Sequence, residues 1–125
     1  MESPTRLPRV LVIGLDPYRV PGPWDPGPMA ARIEVGRARF VEQGVAAEFC
    51  LVGLDGSDDV EAVVTAALCA RAWECVVVGG GVRNQLELFE RVVDLVRRHA
   101  AEASIAFSDT PEQTFEAAAR CLPRA

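Results

Sequence analysis

RVLVIG at residues 9–14 and ECVVVGGG at residues 74–81 decide the fold of this chain. Both stretches are apolar at consecutive positions rather than at alternate ones, which is the pattern of a strand buried on both faces at the centre of a parallel sheet. Two further runs, residues 45–52 (VAAEFCLV) and 103–107 (ASIAF), are more mixed or shorter and suit the edges of that sheet. The sequence therefore predicts two central strands and two edge strands.

A helical pattern follows each predicted strand, because apolar residues recur there at three- and four-residue spacing. The predicted helices cover residues 29–44, 60–68, 86–99 and 111–122. Three of them begin with a capping residue that has Glu or Gln three positions later, a spacing typical of helix starts. These capping residues are Asp58, Asn84 and Thr110.

Strict alternation of strands and helices predicts an α/β fold with a mostly parallel sheet and helices on both faces. We expect a three-layer α/β/α sandwich with four strands in the order 2-1-3-4, a shortened flavodoxin-like or Rossmann-like sheet. With 125 residues, half of them hydrophobic, the chain can bury a core as a single domain over residues 1–125.

Charge and composition exclude several classes of function. All 13 basic residues are arginine, so that no lysine can form a Schiff base, act as a general base or bind phosphate in a Walker motif. The net charge of −5 argues against nucleic-acid binding, which needs a basic surface. No apolar run approaches the ~18–20 residues that span a membrane, and the opening MESPTRLPRV reads as a short tail rather than a targeting signal. A cytoplasmic protein is expected.

The cysteines and the single histidine predict neither a metal site nor a cofactor. Cys50, Cys69, Cys75 and Cys121 lack the spacing of a structural zinc site, and only His99 could assist them. We expect buried thiols at core positions. Because His99 ends the third predicted helix, on the far side of the sheet, a catalytic serine or cysteine would have no histidine beside it.

The predicted binding site lies where the order of the strands reverses. In open parallel sheets, ligands bind beyond the carboxyl ends of the strands at that point, here between the first and third strands. Gly79, Gly80 and Gly81 would let backbone N–H groups approach an anion, and Arg83 and Asn84 come directly after them. The alternative is that the glycines form a tight turn, with Arg83 paired to an aspartate at the same edge.

Asp16 and Asp109 come after the first and fourth strands and are the candidate catalytic residues. If the two carboxyl groups meet at this edge, they could carry acid–base chemistry. The alternative is that each caps a turn, as aspartates at strand ends often do. Ser108 and Thr110 flank Asp109, and Ser108 could be a nucleophile only with a base beside it.

The segment 16–28 (DPYRVPGPWDPGP) is a long connection that contains five prolines and two glycines. Such a sequence is neither helix nor central strand, and a long loop in a small domain is often functional. Tyr18 and Trp24 could close over a ligand, with Arg19 adding charge. The alternative is that Trp24 packs on the rim of the sheet or on a partner subunit.

Four segments, VLVIGLDP, CVVVGGGVR, LFERVVDLVRRHA and SDTPEQTFEA, together resemble a family of small uncharacterised microbial proteins over most of the chain. The resemblance implies a single-domain protein of flavodoxin-like, receiver-like α/β fold and supplies no catalytic residue. The residues that response-regulator receivers use for phosphoryl transfer are missing, because the first strand ends in Gly14-Leu15, the third ends in Gly79 and lysine is absent. Phosphoryl relay is therefore excluded.

The expected function is the binding of a small anionic metabolite, carrying phosphate or carboxylate, at the carboxyl edge of the sheet. The alternative is a non-catalytic homodimer or partner-binding module that uses an edge strand or an apolar helix face. The expected ligand-binding residues are Asp16, Tyr18, Arg19, Trp24, Gly79, Gly80, Gly81, Arg83, Asn84, Ser108 and Thr110.

Overall fold

The computed structural model describes residues 8–122; the start of the predicted N-terminal tail, residues 1–7, lies outside them, as do residues 123–125. One sheet of four parallel strands has the order β2-β1-β3-β4, which confirms the predicted topology. The strands are β1 (Val10–Leu15), β2 (Ala47–Val52), β3 (Cys75–Val78) and β4 (Ser104–Phe107). The central strands are almost wholly buried and the edge strands half-exposed, as the hydrophobic patterns predict.

The helices lie in two layers, one on each face of the sheet. They are α1 (Gly27–Glu42), α2 (Val60–Cys69), α3 (Gly80–Arg83), α4 (Leu86–His99) and α5 (Thr114–Ala119), with 3₁₀ turns at Pro17–Arg19 and Pro111–Gln113. Helices α2 and α4 pack on one face and α1 and α5 on the other, giving the predicted three-layer α/β/α sandwich. No helix of residues 8–122 is long and apolar enough to cross a membrane.

Side chains of β1 alternate between two hydrophobic clusters. Leu11 and Ile13 point to the α2 and α4 face, whereas Val10 and Val12 point to the α1 and α5 face. Phe40 of α1 fills the centre of the second cluster, in edge-on contact with Phe49 and Phe115 at ring distances of 5.9 and 5.4 Å. An ion pair between Arg39 and Glu116 also joins α1 to α5.

The register of the strands determines which residues meet at the carboxyl edge. Val12 lies opposite Phe49 on β2 and Val77 on β3, and Gly14, two residues further along β1, lies opposite Leu51. The ladder continues past β3, because the N–H of Gly79 donates to the carbonyl of Ile13 at 2.9 Å and the N–H of Ser108 to that of Val78 at 3.1 Å. One row of residues therefore crosses the α1 and α5 face at this edge: Leu51, Gly14, Gly79 and Ser108.

Helices α2 and α4 begin at Val60 and Leu86 as predicted, but the predicted capping residues are wrong. Asp59 rather than Asp58 caps α2, accepting from the N–H of Ala62 at 3.1 Å, because the carboxylate of Asp58 accepts from Gly53 instead. Asn84 ends the short helix α3 rather than capping α4, since the glycine turn itself begins a helix.

The last predicted helix is shorter than the expected 111–122. Thr110 precedes the 3₁₀ turn Pro111–Gln113, and its side chain makes no capping hydrogen bond. Helix α5 proper begins only at Thr114, whose hydroxyl donates to the carbonyl of Pro111 at 2.7 Å and so holds the turn in place. Arg120 comes directly after the helix, and its guanidinium donates to the carbonyl of Phe107 at 3.1 Å.

A candidate ligand cavity at the carboxyl edge of the sheet

A cavity of about 280 Å³ opens at the carboxyl ends of the strands, on the face covered by α1 and α5. Its floor is the row in which Gly14 and Gly79 lie side by side on the two central strands. Neither glycine carries a side chain, so space remains where Val12 and Val77 fill the row below. The cavity lies at the place that the order of the strands predicts for a ligand.

The half of the cavity over β1 and β2 is apolar. Phe49 and Leu51 project from β2, and Trp24 closes this side from the proline-rich segment. Helix α1 adds Met29 and Ile33, which lie one turn apart on the helix face that meets the sheet. This half can hold an apolar body and offers it few hydrogen-bonding groups.

The half over β3 and β4 is polar, beginning with the glycine turn. Within residues 8–122, the N–H groups of Gly80 and Gly81 donate to no acceptor, as expected for the first residues of a helix. A Cβ atom on Gly80 would lie 2.8 Å from the carbonyl oxygen of Asp109, so that only glycine fits at this position. The glycine turn thus packs closely against the backbone after β4 and lines the cavity with two N–H groups that have no acceptor among residues 8–122.

Ser108 is the second polar group of this half. Ser108 is only 3% exposed, and it lines the cavity. Its hydroxyl makes no hydrogen bond to any residue in the described part of the chain. The hydroxyl oxygen is not among the fully buried polar atoms that lack a partner, so it keeps accessible surface at the cavity wall. The hydroxyl is therefore available to a ligand.

Arg32 of α1 lines the same half and was not among the predicted residues. Its Nε donates to Oε2 of Glu112 at 2.8 Å, and this bond and the charge of Arg32 lower the pKa of the Glu112 carboxyl. The spacing of Arg32 from Met29 and Gly36 does place it on the inward face of the predicted helix. An arginine on a helix is, however, more often solvated, so no pattern in the sequence favours it as a site residue.

Arg83 lies outside the cavity. Its Nη2 donates to Oδ1 of Asp109 at 3.1 Å, the pairing that the alternative interpretation of the glycine turn expects. Asp109 lines the mouth of the cavity, with its side chain 81% exposed. Asn84 lines the cavity too, next to the glycine turn.

Asp16 and Arg19 belong to a network of hydrogen bonds and ion pairs that lies away from the cavity. Asp16 accepts from the N–H of Tyr18 at 3.0 Å and from Nε of Arg19 at 2.9 Å. Arg19 also donates to Asp58 at 2.7 Å and to the carbonyl of Leu51 at 3.2 Å. The hydrogen bond from Gly53 is the main cause that lowers the pKa of the Asp58 carboxyl, and Arg19 lowers it further. The network ties the proline-rich segment to the loop after β2.

The remaining predicted residues lie partly at the cavity and partly away from it. Trp24 covers the cavity, and its indole N–H donates to the carbonyl of Val20 at 3.0 Å, which fixes the ring at the rim. Tyr18 is 67% exposed and points elsewhere. The predicted residues that line the cavity are Trp24, Gly79, Gly80, Gly81, Asn84, Ser108 and Asp109; those that do not are Asp16, Tyr18, Arg19, Arg83 and Thr110.

The cysteines are free thiols in different surroundings. Cys75 is fully buried, and burial together with the neighbouring Cys121 raises the pKa of its thiol to about 12. Cys50 is half-buried, and burial raises its pKa too, whereas Cys69 is exposed on α2. Residues 8–122 contain no group of three or more His, Cys, Asp or Glu side chains that could hold a metal ion.

Comparison with models of known protein families, with curated proteins and with solved structures finds no match for the chain. The resemblance of its four sequence segments to a family of small microbial proteins therefore stays a prediction. The function has to be inferred from the cavity itself.

Proposed function

We propose that this protein binds a small organic anion in the cavity at the carboxyl edge of its sheet. The observation that carries the proposal is the division of one cavity into an apolar half over β1 and β2 and a polar half over β3 and β4. Ligand sites typically combine apolar walls with a few convergent polar groups that fix the orientation of the ligand. The volume of about 280 Å³ suits a small metabolite rather than a dinucleotide.

The donors of the polar half support an anionic group. The N–H groups of Gly80 and Gly81 and the hydroxyl of Ser108 have no acceptor within residues 8–122. Oxygen atoms of a carboxylate or a phosphate would supply acceptors to all of them, and the hydrogen bonds would be charge-assisted.

The proposal is binding rather than acid–base catalysis. The carboxylate of Asp16 is engaged by Tyr18 and Arg19, away from the cavity, and Asp109 is paired with Arg83. The hydroxyl of Ser108 makes no hydrogen bond to a base among the described residues, so nothing activates it as a nucleophile. Cytoplasmic location and the absence of nucleic-acid binding stay predictions from composition.

The test is a thermal-shift screen of carboxylated and phosphorylated metabolites on the wild type, Gly79→Val and Arg83→Ala. A ligand at 100 times its dissociation constant adds about 2.7 kcal/mol to the free energy of unfolding. We expect the stabilisation to disappear in Gly79→Val, whose side chain occupies the floor, and to persist in Arg83→Ala, since Arg83 lies outside. An equal shift in Gly79→Val would place the ligand elsewhere, and no hit in the whole library would contradict the proposal.

A second candidate function is homodimerisation through the β2 edge of the sheet. Within residues 8–122, strand β2 pairs with β1 alone, and Val35 and Val41 of helix α1 are 52% and 78% exposed. Small open sheets often cover such an edge by pairing with a second copy. Sedimentation velocity over a range of concentrations tests this: a dimer that Val41→Glu dissociates would support it, and a monomer at every concentration would rule it out.

A further inference from the structure

Arg32 is the only cation that lines the cavity among residues 8–122. Its ion pair with Glu112 uses Nε alone, and within those residues neither Nη atom donates to a protein acceptor. An arginine that is held through Nε keeps the opposite edge of its planar guanidinium, with several N–H donors, for another partner. The protein thus already positions this side chain and leaves its outer donors free.

Glu112 supplies the fixed end of this arrangement. One carboxylate oxygen accepts from Arg32, while the other, Oε1, is buried without a hydrogen-bond partner in the described part of the chain. Because Arg32 lowers the pKa of this carboxyl, Glu112 stays ionised at neutral pH and keeps hold of the guanidinium. The 3₁₀ turn that carries Glu112 is itself packed against α1, where a Cβ on Gly36 would overlap the carbonyl of Pro111. Arg32 therefore lies at the contact between α1 and this turn, and its ion pair with Glu112 links the two elements.

The charges around the cavity distinguish a carboxylate from a phosphate. Arg32 is paired with Glu112, and Asp109 at the mouth is paired with Arg83, so that these side chains together carry no net charge. A phosphate monoester carries about −1.5 to −2 charges at neutral pH, which this single cation would not compensate. A carboxylate carries one charge, and its two oxygens match the planar fork of an arginine.

We propose that the ligand is a monocarboxylic acid with an apolar body, bound with its carboxylate between Arg32 and Ser108 and its body against Phe49 and Leu51. This inference rests on the proposed function and narrows it to one class of ligand. Arg32, on α1, takes the role that the sequence suggests for Arg83. The apolar half of the cavity then selects among acids by the size and shape of the body.

The experiment compares acids with their own amides, which differ in charge and little in shape. Isovalerate, phenylacetate and 3-phenylpropionate are each titrated beside the matching amide, with phenyl phosphate as a separate probe. Binding is followed by the backbone amide resonances of Gly79, Gly80 and Gly81. The variants are Arg32→Gln, Arg32→Lys and, as a control outside the cavity, Arg83→Gln.

We expect the wild type and Arg83→Gln to bind at least one acid ten or more times more tightly than its amide. Arg32→Gln should bind acid and amide alike, and Arg32→Lys should keep a preference of severalfold, because it retains the charge without the fork. Thermal unfolding of each variant shows whether it is folded. If Arg32→Gln is not folded, the comparison of Arg32→Lys with the wild type tests the inference by itself.

Three results would overturn the inference while leaving the proposed function in place. The first is that no acid binds better than its own amide in the wild type, while phenyl phosphate still binds. The second is a preference for the acid that persists in Arg32→Gln, or in Arg32→Lys without any loss. The third is phenyl phosphate binding as tightly as the best acid. If none of these compounds shifts the resonances of the glycine turn, the inference fails, and the thermal-shift screen of the whole library decides whether the proposed function fails as well.

Discussion

At the glycine turn, the space for a single Cβ atom decides which positions must be glycine. A Cβ on Gly80 would lie 2.8 Å from the carbonyl oxygen of Asp109, whereas the nearest atom to a Cβ on Gly79 is 3.5 Å away. The two positions are adjacent in sequence and differ in the backbone that faces them. The backbone that faces Gly80 requires glycine there, whereas a methyl group on Gly79 would make only ordinary van der Waals contact.

This contrast gives a prediction for two alanine variants. Gly80→Ala should lower the free energy of unfolding by about 1–3 kcal/mol, because the backbone after β4 has to move away from the new methyl group. Gly79→Ala is the matched control and should change it by less than about 0.5 kcal/mol. Urea unfolding measures both values. Equal stability of the two variants would show that the turn and the backbone after β4 are not in contact in solution.

Residue-level orientation is also where prediction from sequence stops. Asp16 and Arg83 lie at the predicted edge, but the sequence does not show which way their side chains point. Asp16 is engaged by an N–H two residues away and an arginine three residues away, and Arg83 by Asp109 across the sheet edge. A side chain that is held by such a partner is less available to a ligand, and the sequence does not show which partners come within hydrogen-bonding distance.

At the scale of elements, Arg19 joins the 3₁₀ turn Pro17–Arg19 to the loop after β2. Its guanidinium contacts Asp16, Asp58 and the carbonyl of Leu51, and its own carbonyl accepts from the N–H of Leu54 at 2.9 Å. The turn begins the segment that carries Trp24 to the cavity. Arg19 is thus the side chain that ties the start of this segment to the loop after β2.

We expect Arg19→Gln to lower the melting temperature and to speed amide hydrogen exchange in residues 17–24 and 53–58. Arg83→Gln, which removes one exposed ion pair, should leave both almost unchanged. Because the pKa of Asp58 is lowered in the folded state, its contribution is present above the usual carboxyl range and is lost as the pH falls through it. Exchange rates that are the same in the two variants would show that the network does not order the segment.

The strands and helices are predicted well from the sequence, because their burial determines which positions are apolar. Val76, Val77 and Val78 are apolar in succession because helices cover both faces of β3, and that burial leaves a direct trace in sequence. The role of Arg32 leaves no such trace. Its place at the cavity depends on how α1 packs against the 3₁₀ turn that bears Glu112, eighty residues further along the chain.

At the scale of the whole molecule, the absence of lysine simplifies the response to alkali. Lysines usually titrate near pH 10.4, and this chain has none. The buried thiol of Cys75 titrates at about 12 in the folded protein and near its ordinary value of ~8.5 in the unfolded chain. A pKa raised by folding means that stability is complete below pH ~8.5 and falls as the pH rises toward 12.

The free energy of unfolding should therefore decrease by up to about 1.4 kcal/mol per pH unit above pH ~9. The variant Cys75→Ala should start from a lower stability and lose less of it, with Cys50 accounting for part of the remaining slope. Urea unfolding between pH 7 and 11 measures both curves. Parallel curves would show that Cys75 does not cause the loss of stability at alkaline pH.

At neutral pH a thiol reagent should label Cys69 first and Cys75 only on unfolding.

The glycine pair on the floor of the cavity also bears on how this protein can evolve. A single base change in a glycine codon produces alanine or valine, so that Gly79 is one mutational step from a shallower cavity. Such a step leaves the cluster between the sheet and helices α2 and α4 untouched, because that cluster lies on the opposite face. Homologues that differ at positions 14 and 79 are therefore expected to accept ligands of different length on the same scaffold.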